Sequence, residues 1–253
     1  MRHEVQDHPA HRFCQRLIAI VLATLDAKKA RIPASGWKAV VLSVLTKMIS
    51  EVRAAHALAA DGHIRGAPIV IRAALESFIT ASFIAQADSA LRARRWVQYG
   101  DVLRAAMLRK KPYPALKDAI HKRTSRLILA RGRRWKKKYF PGHFWASGFR
   151  RNNLRDLAQA VGMQWHYDMI YWSYSQGTHT SPIGVASYVA AEKAIYDFAL
   201  SGANVRADMA VCCDLLVRGL ELLNGCCRWG LGKLLEDLRE EYRTLDATLE
   251  QST

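Results

Sequence analysis

The chain predicts an all-α protein, a multi-helix bundle whose basic central region partly protrudes from the core. Three observations carry that expectation. Apolar residues recur at three- and four-residue intervals from end to end, while alternating apolar and polar runs bounded by hairpin turns are scarce. Half of the 253 residues are apolar, enough to bury one sizeable core. The net charge is +16, and nearly the whole excess lies between Leu91 and Lys138, where seventeen Lys or Arg meet two acids, Asp101 and Asp118.

The elements follow in order. A first helix is expected from about His11 to Lys29, stopping before Pro33. Ser35 reads as the N-cap of a second that reaches His56 to Ala60, where Asp61, Gly62 and Gly66 mark a turn. Pro68 suits the first turn of a third helix running to about Gln86. Asp88 or Ser89 caps a fourth that ends near Lys110, ahead of Pro112 and Pro114. Leu116 to Lys138 is helical in pattern and intensely basic, and a loop with Pro141, Gly142 and Gly148 follows. A short helix around Asn153 to Ala160 leads past Gly162 into Gln164 to His179, which Pro182 and Gly184 end. Ile183 to Ala199 is ambiguous, and one long helix from about Val205 to Leu245 closes the chain. With no internal repeat and no dividing linker, residues 1–253 read as a single helical domain with a basic helical region at about 91–155.

Several classes are excluded by what is missing. The apolar runs Phe13 to Leu25 and Ile69 to Ala87 are interrupted by Gln15, Arg16, Arg72 and Glu76, so no membrane span is expected. Met1 to His11 carries charges of both signs and leads to no cleavage site, which gives a cytoplasmic expectation. Cys14, Cys212, Cys213, Cys226 and Cys227 include two adjacent pairs, and neighbours on a helix diverge by about 100°, a poor chelate. They read as reduced, buried thiols, with no metal and no cofactor. There is no G-x-S-x-G elbow around Ser175, no Walker loop, no dinucleotide fingerprint and no H-E-x-x-H.

Two polar pairs stand out inside stretches that otherwise read as buried helix: Arg72 with Glu76, and Ser175 with His179. Each is spaced i, i+4 and so shares one helix face. Stripping water from an unpaired charge costs several kcal/mol, so such groups are expected to be paired. An Arg72–Glu76 ion pair that sets helix register is one reading; a cation for phosphate, oriented by Glu76, is the other. Tyr167, Tyr171, Ser175 and His179 recur every four residues, placing two phenols, a hydroxyl and an imidazole along one stripe. Histidine moves protons best near neutral pH. Metal-independent cleavage of RNA needs a base for the 2′-hydroxyl, an acid for the leaving oxygen and a cation for the phosphate. His179, Tyr171 and Arg72 are chemically adequate for those parts, so the candidate catalytic set is Arg72, Glu76, Tyr171, Ser175 and His179.

The basic segment points the same way. Arg92, Arg94, Arg95, Arg123, Arg126, Arg131, Arg133, Arg134, Lys136, Lys137 and Lys138 are interleaved with Trp96, Tyr99, Trp135, Tyr139 and Phe140. Cations track a nucleic-acid backbone, and aromatic rings stack on unpaired bases. RNA is the expected partner ahead of DNA. A solvated helix face or a dock for an acidic protein partner is the alternative.

At Arg72 to Glu76, R-A-A-L-E, and at Tyr171 to His179, Y-W-S-Y-S-Q-G-T-H, the chain resembles domain-of-unknown-function family 5677, over about Arg12 to Leu235. That family is similar in style to the all-helical HEPN superfamily, many of whose members are RNA-cleaving toxins or defence effectors working as dimers. The resemblance implies an activity class and a homodimer. It also implies Arg and His four to six residues apart on one helix, a pattern this chain lacks before His179. Any shared chemistry must bring its arginine from another helix, with Arg72 the candidate. A non-catalytic nucleic-acid-binding or regulatory module is the competing expectation.

Overall fold

The structure is a computed structural model, and it describes residues 8–28, 36–63, 66–109, 122–139, 145–146, 154–178, 189–190, 195–196 and 202–250. The fold is all-α, as the periodicity predicts. The helices are α1 (Pro9–Lys28), α2 (Gly36–Ala60), α3 (Ala67–Gln86), α4 (Ser89–Arg109), α5 (Lys122–Tyr139) and α6 (Leu154–Ala160). A three-residue α7 (Gln164–His166) runs through a π-turn (Tyr167–Tyr171) into α8 (Trp172–Thr178); α9 (Gly202–Cys227) and α10 (Gly232–Glu250) follow. In the ambiguous stretch, Val189–Ala190 pairs antiparallel with Ile195–Tyr196.

The core is built by α1, α2, α3 and α9. Phe13, Cys14, Leu17, Ile18 and Val21 form the buried stripe of α1. Val205, Met209, Cys212, Cys213, Leu216, Leu220 and Leu223 do the same on α9, recurring at helical spacing. All of them join one hydrophobic cluster with α2 and α3. Each fully buried side chain of this size contributes roughly 1.5–3 kcal/mol by leaving water. The α2–α3 contact also carries a polar clasp that periodicity did not reveal. Ser77 donates to Glu51 at 2.9 Å and accepts from Lys47 at 3.1 Å, and Lys47 pairs with Glu51.

Helix α3 is long and apolar enough, by length and composition, to cross a bilayer. Half of its twenty residues are buried in the core, Ile71, Leu75, Phe78, Ile79 and Ile84 among them. It opens on Gly66 with Pro68 in the first turn, where a missing N–H costs nothing. Asp88, at φ 46, turns the chain between α3 and α4, and its carbonyl accepts from Leu91 and Arg92. Ser35, the expected N-cap of α2, lies outside the described residues; α2 begins at Gly36, whose φ of 81 is one that glycine adopts without strain.

One expectation is overturned. The long closing helix is two helices, broken at Arg228–Leu231. Arg228 and Gly230 adopt positive φ, 54 and 72, and the Asn224 side chain accepts from the Leu231 N–H at 3.0 Å. Trp229, fully buried, plugs the corner against the core. Burial of that indole outweighs continued helical hydrogen bonding, and Gly230 permits the turn.

The basic region forms a helical hairpin. α5 lies against α4, which in turn packs on α2 and α3. Gly132 lets the two helices approach closely: a Cβ placed there would fall 2.2 Å from the Ala105 Cβ and 3.0 Å from the Asp101 carbonyl oxygen.

Candidate functional site

Helix α3 presents Ile69, Arg72 and Glu76 along one side, at i, i+3 and i+7. Ile69 and Glu76 are exposed and Arg72 is half-buried. This corrects the sequence reading of Glu76 as a polar group within a buried face. The Arg72–Glu76 ion pair, one of the two readings of this pair, is absent among the described residues. Glu76 keeps its water, which costs nothing, while Arg72 turns to a phenol on another element.

That phenol is Tyr171. Arg72 Nη2 donates to Tyr171 Oη at 2.8 Å, and its guanidinium carbon lies 4.5 Å from the Tyr171 ring centroid. Arg72 Nε is buried and has no hydrogen-bond partner. A guanidinium carries five N–H donors, and the phenol takes one of them. The two polar segments that the sequence singled out, ninety-nine residues apart, therefore meet.

Tyr171 closes the π-turn. Its ring stacks on Tyr167, with centroids 4.7 Å apart and planes inclined by 15°. The shared face expected for these two phenols is present. Burial pushes the Tyr167 phenol up, and the neighbouring Tyr171 and Asp168 add to the shift. Ser175 Oγ donates to the Tyr171 carbonyl at 2.6 Å, tying the hydroxyl to its own helix. π-Turns widen a helix by one residue and often occur at functional sites. His179 lies outside the described residues.

The same segment is anchored at three further points that sequence reasoning missed. Asp168 receives a two-pronged contact from Arg155, 2.7 and 2.9 Å, which holds its carboxyl below the usual range. His166 Nε2 lies 3.3 Å from Asp214 of α9. Tyr174 donates to Asp208 of α9 at 2.6 Å. Asp208 is 2% exposed, and its second oxygen has no partner. Burial pushes this carboxyl up to about 6, against the opposing pull of the Tyr174 hydroxyl. Burial and the Asp208 charge push the Tyr174 phenol up as well. The signal was available: Asp208 sits on an α9 face shared with Val205, Met209 and Cys212, a polar group on an apolar stripe as Arg72 is on α3.

The candidate phosphate-binding cations divide into three groups. Arg92 stacks 3.8 Å from the Phe83 ring centroid and donates to the Phe83 carbonyl at the end of α3. Burial lowers its pKa from the ordinary arginine value. Arg95 donates to the Ala146 carbonyl at 3.3 Å. Both are engaged in holding the hairpin to the body; the Phe83 carbonyl lies in the last turn of α3, where helix carbonyls lack an intrahelical partner. Arg94, Arg126, Arg131, Arg133, Arg134 and Lys136 are exposed. Arg134 lies over Trp135, 4.8 Å from its centroid. Arg123, Lys137 and Lys138 belong to the backbone of α5, and their side chains lie outside the described residues. Trp96 and Tyr99 are half-buried against the core, so they are not the open stacking faces that interleaving suggested.

The described residues contain no group of three or more His, Cys, Asp or Glu placed to hold a metal ion. All five cysteines are free, Cys14, Cys212 and Cys213 being buried. Comparison with curated proteins finds no match, and comparison with solved structures finds none either. A family model does match, over residues 38–195, a span that holds Arg72, the hairpin and the π-turn. This chain belongs to that family, described as a family of unknown function (DUF5677).

Proposed function

We propose that the protein binds RNA along the cationic face of the α4–α5 hairpin and cleaves it without a metal ion at the Arg72–Tyr171 centre. The observation that carries this reading is the 2.8 Å hydrogen bond joining Arg72 of α3 to Tyr171 of the π-turn. It puts a cation with spare donors against a phenol, and Arg72 is itself only half-buried. The likeness in style to HEPN ribonucleases argues for the same class, with the arginine arriving from a separate helix. The protein then works in the cytoplasm as a homodimer, a toxin or defence effector.

In the reaction the 2′-hydroxyl attacks the adjacent phosphorus and the bond from phosphorus to the 5′-oxygen breaks. His179 is the candidate to take the 2′ proton, and Tyr171 the candidate to give a proton to the departing 5′-oxygen. Arg72 faces the non-bridging oxygens, where charge grows in the transition state. The products are a 2′,3′-cyclic phosphate and a 5′-hydroxyl; His179 then releases its proton to water and Tyr171 regains one from water, which resets both groups.

The test is incubation of labelled RNA with the protein in chelator, alongside Tyr171→Phe and His179→Ala. Cyclic-phosphate ends that form in the wild type and vanish in His179→Ala support the proposal. Salt-sensitive binding without cleavage overturns the catalytic half. It would leave a non-catalytic nucleic-acid-binding or regulatory module, a reading favoured by the Ser175 hydroxyl being tied to its own backbone and by Glu76 facing solvent. Binding that ignores salt would remove nucleic acid altogether and point to an acidic protein partner, because phosphate contacts release counterions.

A further inference from the structure

Trp165, Met169 and Trp172 are 64%, 55% and 54% exposed. They recur at i, i+4 and i+7 on the outer face of the segment whose inner face carries His166, Tyr167, Tyr171 and Tyr174 toward α3 and α9. Two indoles this open on one helix face are costly to leave in water, so their retention asks for an occupant. We propose that they form a stacking platform for unpaired bases of a single-stranded RNA, beside the Arg72–Tyr171 centre. The inference rests on the RNA-binding reading and specifies the substrate as single-stranded.

Three features of the face choose this occupant. The first is size: the three side chains together present on the order of 400 Å², about half of the roughly 800 Å² that each partner contributes to a standard protein interface. That suits a few bases better than a second copy. The second is charge. Gln164 to Thr178 contains no Lys or Arg and one acid, Asp168, whereas helices that lie on anionic membranes carry rows of cations beside their apolar face. The cations that hold an RNA backbone are supplied elsewhere, by the exposed arginines of α4 and α5 within a chain of net charge +16. The third is spacing. Trp165 and Trp172 are seven residues apart across the π-turn, where the rise per residue is below the α-helical value, so the two indoles lie within about 10 Å along the axis, inside the rise of three stacked nucleotides at roughly 3.4 Å each, and Met169 stands between them in sequence. Trp172 directly follows Tyr171, so the platform borders the centre where Arg72 holds that phenol. Among the described side chains of the hairpin, Trp96, Tyr99 and Trp135 are half-buried, and the platform adds two open rings.

The test measures binding of a labelled single-stranded RNA, and of the same strand annealed to its complement, by full-length wild type, Trp165→Ala, Trp172→Ala, both Trp→Phe variants and the Arg133→Glu/Arg134→Glu double variant. Each alanine change is expected to weaken single-strand binding between about fivefold and a hundredfold. Duplex binding and the salt slope should stay as in the wild type, and phenylalanine should restore most of the loss, since it keeps a ring to stack. If the alanine variants match the wild type on the single strand while the arginine variant loses it, the platform is refuted and the RNA-binding reading stands. A wild type that binds neither RNA overturns both. If the alanine variants convert a dimer into a monomer, or abolish binding to anionic phospholipid vesicles, the face belongs to a second copy or to a membrane, and the proposal fails.

Discussion

Replacing Gly132 by alanine is expected to loosen the basic hairpin even though alanine is the better helix former. The added Cβ would sit 2.2 Å from the Ala105 Cβ, where carbon atoms rest comfortably at about 3.5–4.0 Å. The 3.0 Å approach to the Asp101 carbonyl oxygen closes the other direction. Both neighbours are backbone or Cβ atoms, so neither can swing aside, and α5 must retreat from α4 by more than about 1 Å. Overpacking of this kind costs about 1–3 kcal/mol. Helix propensity offsets up to about 1 kcal/mol of that. The net expectation is a hairpin weakened by about 1–2 kcal/mol, which speeds amide exchange in Lys122–Tyr139 by roughly 5- to 30-fold. Gly225→Ala is the control. It lies in α9, with nothing within 4 Å of its added Cβ, so the propensity gain should appear there alone. Hydrogen exchange resolved by segment reads both variants. Exchange in α5 that is unchanged or slower in Gly132→Ala would refute the close-approach argument.

Asp208→Asn tests the buried carboxyl. Its folded pKa of about 6 stands above the ordinary 3.8, so the native state binds the extra proton and stability falls as pH rises from about 4 to 6. The loss at neutral pH is roughly 3 kcal/mol; asparagine should flatten that slope and raise the melting temperature at pH 7, and an unaltered pH profile would count against it. Tyr171→Phe removes the acceptor of the Arg72 bond while keeping the ring beneath the guanidinium. It should lower RNA cleavage about a hundredfold or more and cost about 1.5–3 kcal/mol of stability, read by activity in chelator and by denaturant unfolding. The Arg133→Glu/Arg134→Glu variant should reduce the slope of log affinity against log salt for single strands by about 0.7 for each phosphate it no longer neutralises; an unchanged slope would take those residues out of the interface.

Much of the helical architecture was legible because burial leaves a periodic trace. The stripes of α1 and α9 repeat at helical spacing, and Pro68 and Asp88 mark turns that the chain makes. The break at Arg228–Leu231 was not legible from periodicity, since apolar residues continue across it; Trp-Gly-Leu-Gly was the local clue, and the burial of Trp229 decided it. In the site, the i, i+4 rule showed that Arg72 and Glu76 share a face without showing which way that face points. Arg92 and Arg95 show a parallel limit: composition counts them among seventeen cations, whereas their hydrogen bonds go to the carbonyls of Phe83 and Ala146.

By itself, then, the sequence determined a helical class, a strongly polarised charge and two polar segments, because helix periodicity and local composition act over a few residues. Only the tertiary structure decided that Arg72 meets Tyr171 and leaves Glu76 in water, that Asp208 is sealed beneath Tyr174, and that Trp165 and Trp172 face outward. Those outcomes depend on how α3, α9 and the π-turn pack, and the partner of a side chain is set by neighbours distant in the chain.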